Sequence, residues 1–212
     1  MKRIFISCAL FLCTISLSAQ TKMTAKEAAL KIADRILDST TYEFKNTKTG
    51  EVYKSVKKLP LSMDVKVACK YNNWHYTNGV TNIALMELAD KVGDKKYDKY
   101  VLKNMNFVFN EGNLDFFRRQ YDQAFKDGGW NAVRKLSWHM IFRGKRLDDN
   151  GPMGASLIEL QMRHPNEAFL SYVNETADHL NYAEPRLVDG TIARLWPHVN
   201  TIWADDAFMA IS

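Results

Sequence analysis

The chain has 212 residues, 46% hydrophobic and 25% charged, with a formal charge of +5. These values exclude a disordered segment and supply apolar material for one sizeable core or part of a larger one. The basic excess is mild and lacks the interleaved aromatics of a nucleic-acid surface, so nucleic acid is not an expected partner. Lys54, Lys57 and Lys58 form one basic group and Arg143, Lys145 and Arg146 another, which fits a small anionic ligand better.

Residues 1–19 read as a secretory signal peptide: Lys2 and Arg3, an apolar run from Ile4 to Leu17, and the small-residue exit Leu17-Ser18-Ala19 before Gln20. A run of 14 residues is short for a membrane span of roughly 20. The mature chain, 20–212, is therefore expected to be exported, periplasmic or secreted, with no span. Its charge falls to +3 on loss of Lys2 and Arg3, and only Cys69 remains, so an intramolecular disulfide is impossible.

Thr24 with Glu27 three residues on forms a capping box, and Ala28, Ala29, Ile32, Ala33, Ile36 and Leu37 predict a helix over 24–38. Thr40 to Leu61 is polar, with turn signals at Asn46 and Gly50, and reads as a long loop. Trp74-His75-Tyr76 precedes a helix over about 78–91 that ends near Gly93, and a second helix runs from about Tyr97 to Phe109. Asn113 to Lys126 has the pattern of a short helix or a covering loop, broken by Gly128-Gly129, and 131–142 reads as a helix holding Trp138 and His139. After Pro152 a helix runs to about Arg163, His164-Pro165 breaks it, and another runs from Asn166 to about Leu180. Val188-Asp189-Gly190-Thr191 is a turn, Ile192 to Asn200 an extended approach to Trp203, and Ala207 to Ile211 a further apolar segment.

The chain also repeats itself. An offset of 72 residues lays Asn78-Gly79 on Asn150-Gly151, Leu85 on Leu157, Glu87-Leu88 on Glu159-Leu160 and Tyr100-Val101 on Tyr172-Val173, and a third copy begins at Trp203-Ala204-Asp205-Asp206. In each pair the first helix is rich in small and apolar residues, as a buried inner helix is, and its partner is polar on one face. An all-α fold follows. Closed into a ring such pairs give an α/α barrel, and left open they give a solenoid.

Read from the residues alone, Asp149 and Asp205 are N-cap candidates contributing about 1 kcal/mol each, and Tyr76 and Trp203 are core aromatics. The five histidines show no metal-ligand spacing, and no nucleotide, phosphate-cradle or nucleophile-elbow motif is present, so neither a metal nor another cofactor is expected.

At Trp74-x-Tyr76-x-Asn78-Gly79, Leu147-Asp148-Asp149-x-Gly151-x-Met153-Gly154 and Asp189-Gly190-Thr191…Trp203-Ala204-Asp205-Asp206 the chain resembles glycoside hydrolase families 88 and 105. These are the unsaturated glucuronyl and unsaturated rhamnogalacturonyl hydrolases, and family 105 is the closer match. The resemblance runs from about residue 25 to the end. It implies an (α/α)6 barrel, of which this chain would hold about the first half. It also implies release of 4,5-unsaturated galacturonic or glucuronic acid from the non-reducing end of lyase-made oligosaccharides by hydration of the C4–C5 double bond. A carboxylic acid in a closed pocket suits the double task of protonating C4 and activating the water that adds at C5. The resemblance places that acid/base at Asp205 and a second carboxylate at Asp149, with Asp148 and Asp206 as caps or supporting partners. Tyr76 and Trp203 match positions lining the sugar. Arg194, 11 residues before Asp205 where many family members carry a histidine, would hold a substrate carboxylate in a bidentate fork. The other reading is a helical-repeat module that binds acidic sugars without turning them over.

Overall fold

The computed structural model describes residues 23–143, 147–195 and 197–211, apart from the side chains of Glu111, Asp149, Ala207, Phe208, Ala210 and Ile211. The expected signal peptide, Lys145, Arg146 and the Asp149 side chain therefore lie outside the described residues.

Helix α1, Ala25–Ser39, starts at the expected box: the Thr24 hydroxyl accepts from the Glu27 amide, and the Glu27 carboxylate accepts from the Thr24 amide at 2.8 Å. The segment expected as a loop, Thr40 to Leu61, instead contains two strands, β1 (Phe44–Asn46) and β2 (Val52–Tyr53), which join β3 (Val65–Val67) just beyond it in a small antiparallel sheet of order β2-β1-β3. The β1–β2 turn closes through Gly50, at φ 76°, and through the Asn46 side chain, which accepts from the amides of Lys48 and Thr49. Strands of two or three residues are too short to show an alternating pattern in sequence. Only the burial of Phe44, Val65 and Val67 reveals which face is inward.

Helices α2 (Tyr76–Val92) and α3 (Lys96–Val108) form a pair hinged at Gly93, whose φ of 70° is left-handed. Helix α4 spans Glu111–Val133 and bends at Gly129, where φ 56° and ψ −150° leave helical space. The helix expected over 131–142 is replaced by the end of α4 and a 3-10 turn, His139–Phe142. Leu136, Trp138 and Ile141 are all buried at spacings of two and three, which no single α-helical face accommodates. Helices α5 (Leu147–Arg163) and α6 (Glu167–Asp178) form the second pair, and α7 covers Ala204–Ile211. Helix α5 starts five residues before Pro152, which supplies no N–H to the carbonyl four residues back, at Asp148.

Helices α2 and α5 lie side by side and parallel. Near their starts Gly79 meets the Pro152–Met153 backbone so closely that a Cβ would overlap it, and eleven residues on in both helices Asp90 pairs with Arg163 at 2.7 Å. In the same way Gly151 of α5 faces the backbone of Met209 in α7. The two glycines aligned by the internal repeat thus do one job: each lets the next inner helix approach to backbone contact. Leu85 and Leu157, also aligned by the repeat, are both buried. The fold is all-α in its layers, with α2, α5 and α7 inside and α3 and α6 outside. Trp74, Trp138, Phe116, Phe169, Met86 and Met105 fill the main core. No helix among the described residues is long and apolar enough to cross a membrane.

Candidate functional site

Because the inner helices are parallel, their first turns share one end of the molecule. Each first turn carries a buried polar side chain: Asn78 in α2 at 7% exposure, Asn150 in α5 at 2% and Asp206 in α7 at 3%. Each ties down a neighbouring segment. Asn78 donates to the carbonyls of Lys70 and Asn73, both at 3.0 Å, so it fixes the approach to its own helix. Asn150 accepts from the hydroxyl of Tyr172 in the outer helix α6 at 3.2 Å. Asp206 takes a guanidinium instead.

That guanidinium is Arg194. Its Nε donates to both oxygens of Asp206 at 3.0 and 2.8 Å, and Nη2 donates to Asp206 at 2.7 Å and to Asp148 at 3.0 Å. Nη2 also stands 3.8 Å from the Asp205 carboxylate, and Cζ lies 4.1 Å from the centre of the Trp203 ring. The backbone delivers the arginine to this point. The turn at Gly190, φ 88°, folds Ile192 back onto Arg186, and a second bridge joins Arg194 to Thr201, with the Arg194 amide donating to the Thr201 carbonyl at 2.8 Å. The Asp206 bonds push the arginine's proton affinity further up, so the group is a fixed cation. Charge-assisted bonds of this kind contribute about 1.5–3 kcal/mol.

The structure therefore brings Arg194, Trp203, Asp205, Asp206 and Asp148 into one cluster. Tyr76 stands at the first position of α2, half-exposed, with its ring 4.6 Å from that of His75. Asp149 follows Asp148 on the first turn of α5, one place ahead of buried Asn150, as Asp205 is one place ahead of buried Asp206 and Thr77 one place ahead of buried Asn78. Asp205 itself is open to solvent, its side chain 52% exposed. The fork expected of Arg194 for a substrate carboxylate is made with Asp206. A buried carboxylate a few ångströms away competes better for the guanidinium than an outside ligand, because leaving it unpaired would strand a charge in the interior.

A family model described as Glycosyl Hydrolase Family 88 matches residues 49–212. The chain belongs to glycoside hydrolase family 88. No curated protein matches it. Membership makes this family 88 chain a glycoside hydrolase of the unsaturated uronyl type, whose substrates are uronyl oligosaccharides.

In this family 88 chain a cleft of about 480 Å³ opens beside Trp203 and Asp206, walled by Leu180, Asn181, Arg186 and Thr191. Behind it His179 Nε2 and Glu184 meet at 2.9 Å, where a π-helical turn, His179–Ala183, ends α6. Burial holds the Glu184 carboxyl above its ordinary range, and the charge of Asp206 adds to the effect while His179 opposes it. The sequence reading passed over Glu184, and no spacing signal marks it: it becomes a neighbour of Asp206 only through the hairpin. Among the described residues no group of three or more His, Cys, Asp or Glu is gathered to hold a metal ion.

Proposed function

We propose that this family 88 hydrolase is an exported enzyme that removes 4,5-unsaturated galacturonic or glucuronic acid from the non-reducing end of lyase-made oligosaccharides of the rhamnogalacturonan type. The observation that carries the reading is the division of labour on the first turn of α7: buried Asp206 takes up the Arg194 guanidinium, which leaves Asp205 facing outward for a ligand to cover. The leader-like residues 1–19 support export, and the closer resemblance to family 105 supports the rhamnogalacturonan class.

In the proposed step the Asp205 carboxyl gives its proton to C4 of the vinyl ether, and positive charge develops on C5 and the ring oxygen. A water adds at C5 and returns one proton to the carboxylate, so the acid is regenerated. The resulting hemiketal opens to a ketone at C5. The hydroxyl freed at C1 then lets the glycosidic bond break, and the neighbouring sugar leaves with its oxygen protonated. One water is consumed. Asp149, in the equivalent position on α5, serves as the second carboxylate and orients the sugar or the water. Arg194 covers one face of Trp203, and a pyranose ring stacks on the other. The arginine acts as a positioning residue: held by Asp206 and Asp148, it keeps Asp205 and Trp203 in fixed relation.

The test is loss of the ultraviolet absorbance of the unsaturated uronide in lyase-digested rhamnogalacturonan, with and without Asp205→Asn. Bleaching by the parent and a loss of about 10³-fold in the variant are expected, since a positioned general acid/base contributes roughly 10²–10⁴-fold. A silent parent that still binds the digest would replace the enzyme reading with that of a non-catalytic sugar-binding module.

A further inference from the structure

The cleft beside Trp203 has a cation of its own. Arg186 lies in its wall with Leu180, Gly190 and Trp203, around a space of about 480 Å³. That volume is within the roughly 300–1,000 Å³ of small-ligand sites. Arg186 is exposed, yet its side chain is held. Nη1 donates to the Gly190 carbonyl and Nη2 to the Leu180 carbonyl, both at 2.9 Å. The first acceptor belongs to the turn of the arginine's own hairpin, and the second to the π-helical turn that ends α6. Both acceptors line the cleft, so the guanidinium is pinned in its wall.

The acids around it are committed elsewhere. Asp206 is bound by Arg194, Glu184 meets His179, and Asp189 accepts from the Thr191 amide at 3.0 Å. Among the described residues Arg186 makes no ion pair. The two arginines of this region therefore differ. Arg194 has given its Nε and Nη2 to carboxylates, whereas Arg186 bonds only neutral carbonyls, which fix its position without cancelling its charge. An arriving anion can form charge-assisted bonds to Arg186 without displacing a counter-ion.

The cleft is also joined to the exposed acid. Trp203, in its wall, carries the Arg194 guanidinium that stands 3.8 Å from Asp205, and Asp206, the next residue of α7, lines the cleft as well. We infer that Arg186 holds the carboxylate of the uronate whose ring stacks on Trp203, in the role expected of Arg194. The inference rests on the proposed hydrolase reading, which puts that uronate on Trp203. A planar fork of N–H groups matches a carboxylate in shape and charge.

Isothermal titration tests this in the Asp205→Asn protein, so that turnover does not consume the ligand. The probes are unsaturated galacturonosyl-rhamnose, which has a single carboxylate, and its methyl ester. The readout is the ratio of the two affinities within each protein. If Arg186 only tied the hairpin to α6, its loss would weaken acid and ester alike and leave that ratio unchanged. The acid should bind at least about tenfold tighter than the ester, as one charge-assisted contact implies. Arg186→Gln should bring the ratio to within about twofold of unity. Arg186→Lys, which keeps the charge and loses the fork, should leave about a third of it. Circular dichroism checks the fold of each variant, and the lysine variant carries the test if the glutamine one does not fold. A parent ratio near unity, or a ratio unchanged by the substitutions, overturns the inference. The two proposals fail separately. A silent ultraviolet assay with an Arg186-dependent preference for the acid sinks the reaction and keeps the contact, whereas bleaching with an Arg186-independent preference sinks the contact alone.

Discussion

The first turns of α2 and α7 use one helical position in two ways. In α2 the buried side chain is Asn78, a neutral amide satisfied by backbone carbonyls of the loop that leads into its own helix. In α7 it is Asp206, a carboxylate, and backbone carbonyls cannot satisfy it. It recruits Arg194 from a hairpin twelve residues upstream, and the arginine reaches on to Asp148 in α5 and to the edge of Asp205. Exchanging an amide for an acid at a tether point thus turns a local cap into a charged junction of three elements. Beside that junction, and not beside Asn78, stands the exposed acid proposed for catalysis.

The comparison breaks most visibly at the arginine. Arg194→Met leaves Asp206 buried without its cation, and the expected cost is about 3–5 kcal/mol, read as a lowered urea midpoint. A cost below about 1 kcal/mol would mean that the clamp is a surface ion pair of the ordinary kind. Asp206→Asn makes α7 resemble α2 and α5 at this position. It should cost about 2 kcal/mol, the worth of charge-assisted bonds, and it should lower turnover of the unsaturated substrate more than it raises KM, because Arg194 loses its anchor. Tyr172→Phe removes the neutral tether of Asn150 and should cost about 1 kcal/mol in the same assay, which makes the middle repeat the milder case.

The smallest effect concerns pH. His139 is held below its ordinary value of 6.5 by burial. The unfolded chain therefore takes up the proton first as the solution is acidified. The contribution of this ring to stability is full above pH 6.5 and is lost as pH falls through the lower native value. Between about pH 8 and about pH 5 the parent should lose more stability than His139→Gln. An identical loss in both proteins would place the acid sensitivity elsewhere.

Local signals carried most of the helices. The Thr24–Glu27 box and the Gly93 stop each act within one turn of chain, so they are visible to a reader of the sequence and are found where expected. The repeat carried more than its spacing promised. It aligned Gly79 with Gly151, the two glycines that let neighbouring helices approach to backbone contact, whereas Asp149 and Asp205 are marked by the family resemblance. The short strands and the 3-10 turn at His139–Phe142 left no such mark, because segments of two to four residues take their conformation from the surface they cover.

By itself the sequence determined the mainly helical character, the pairing of helices and the acids in the first turns of α5 and α7, since periodicity, capping and repetition act at fixed short separations. Only the tertiary structure decided the partner of Arg194. Asp206 lies 12 residues away along the chain and Asp148 lies 46, and no periodicity links such separations. The choice was made by burial, which left the Asp206 carboxylate no water to turn to and made the nearest guanidinium its counter-ion.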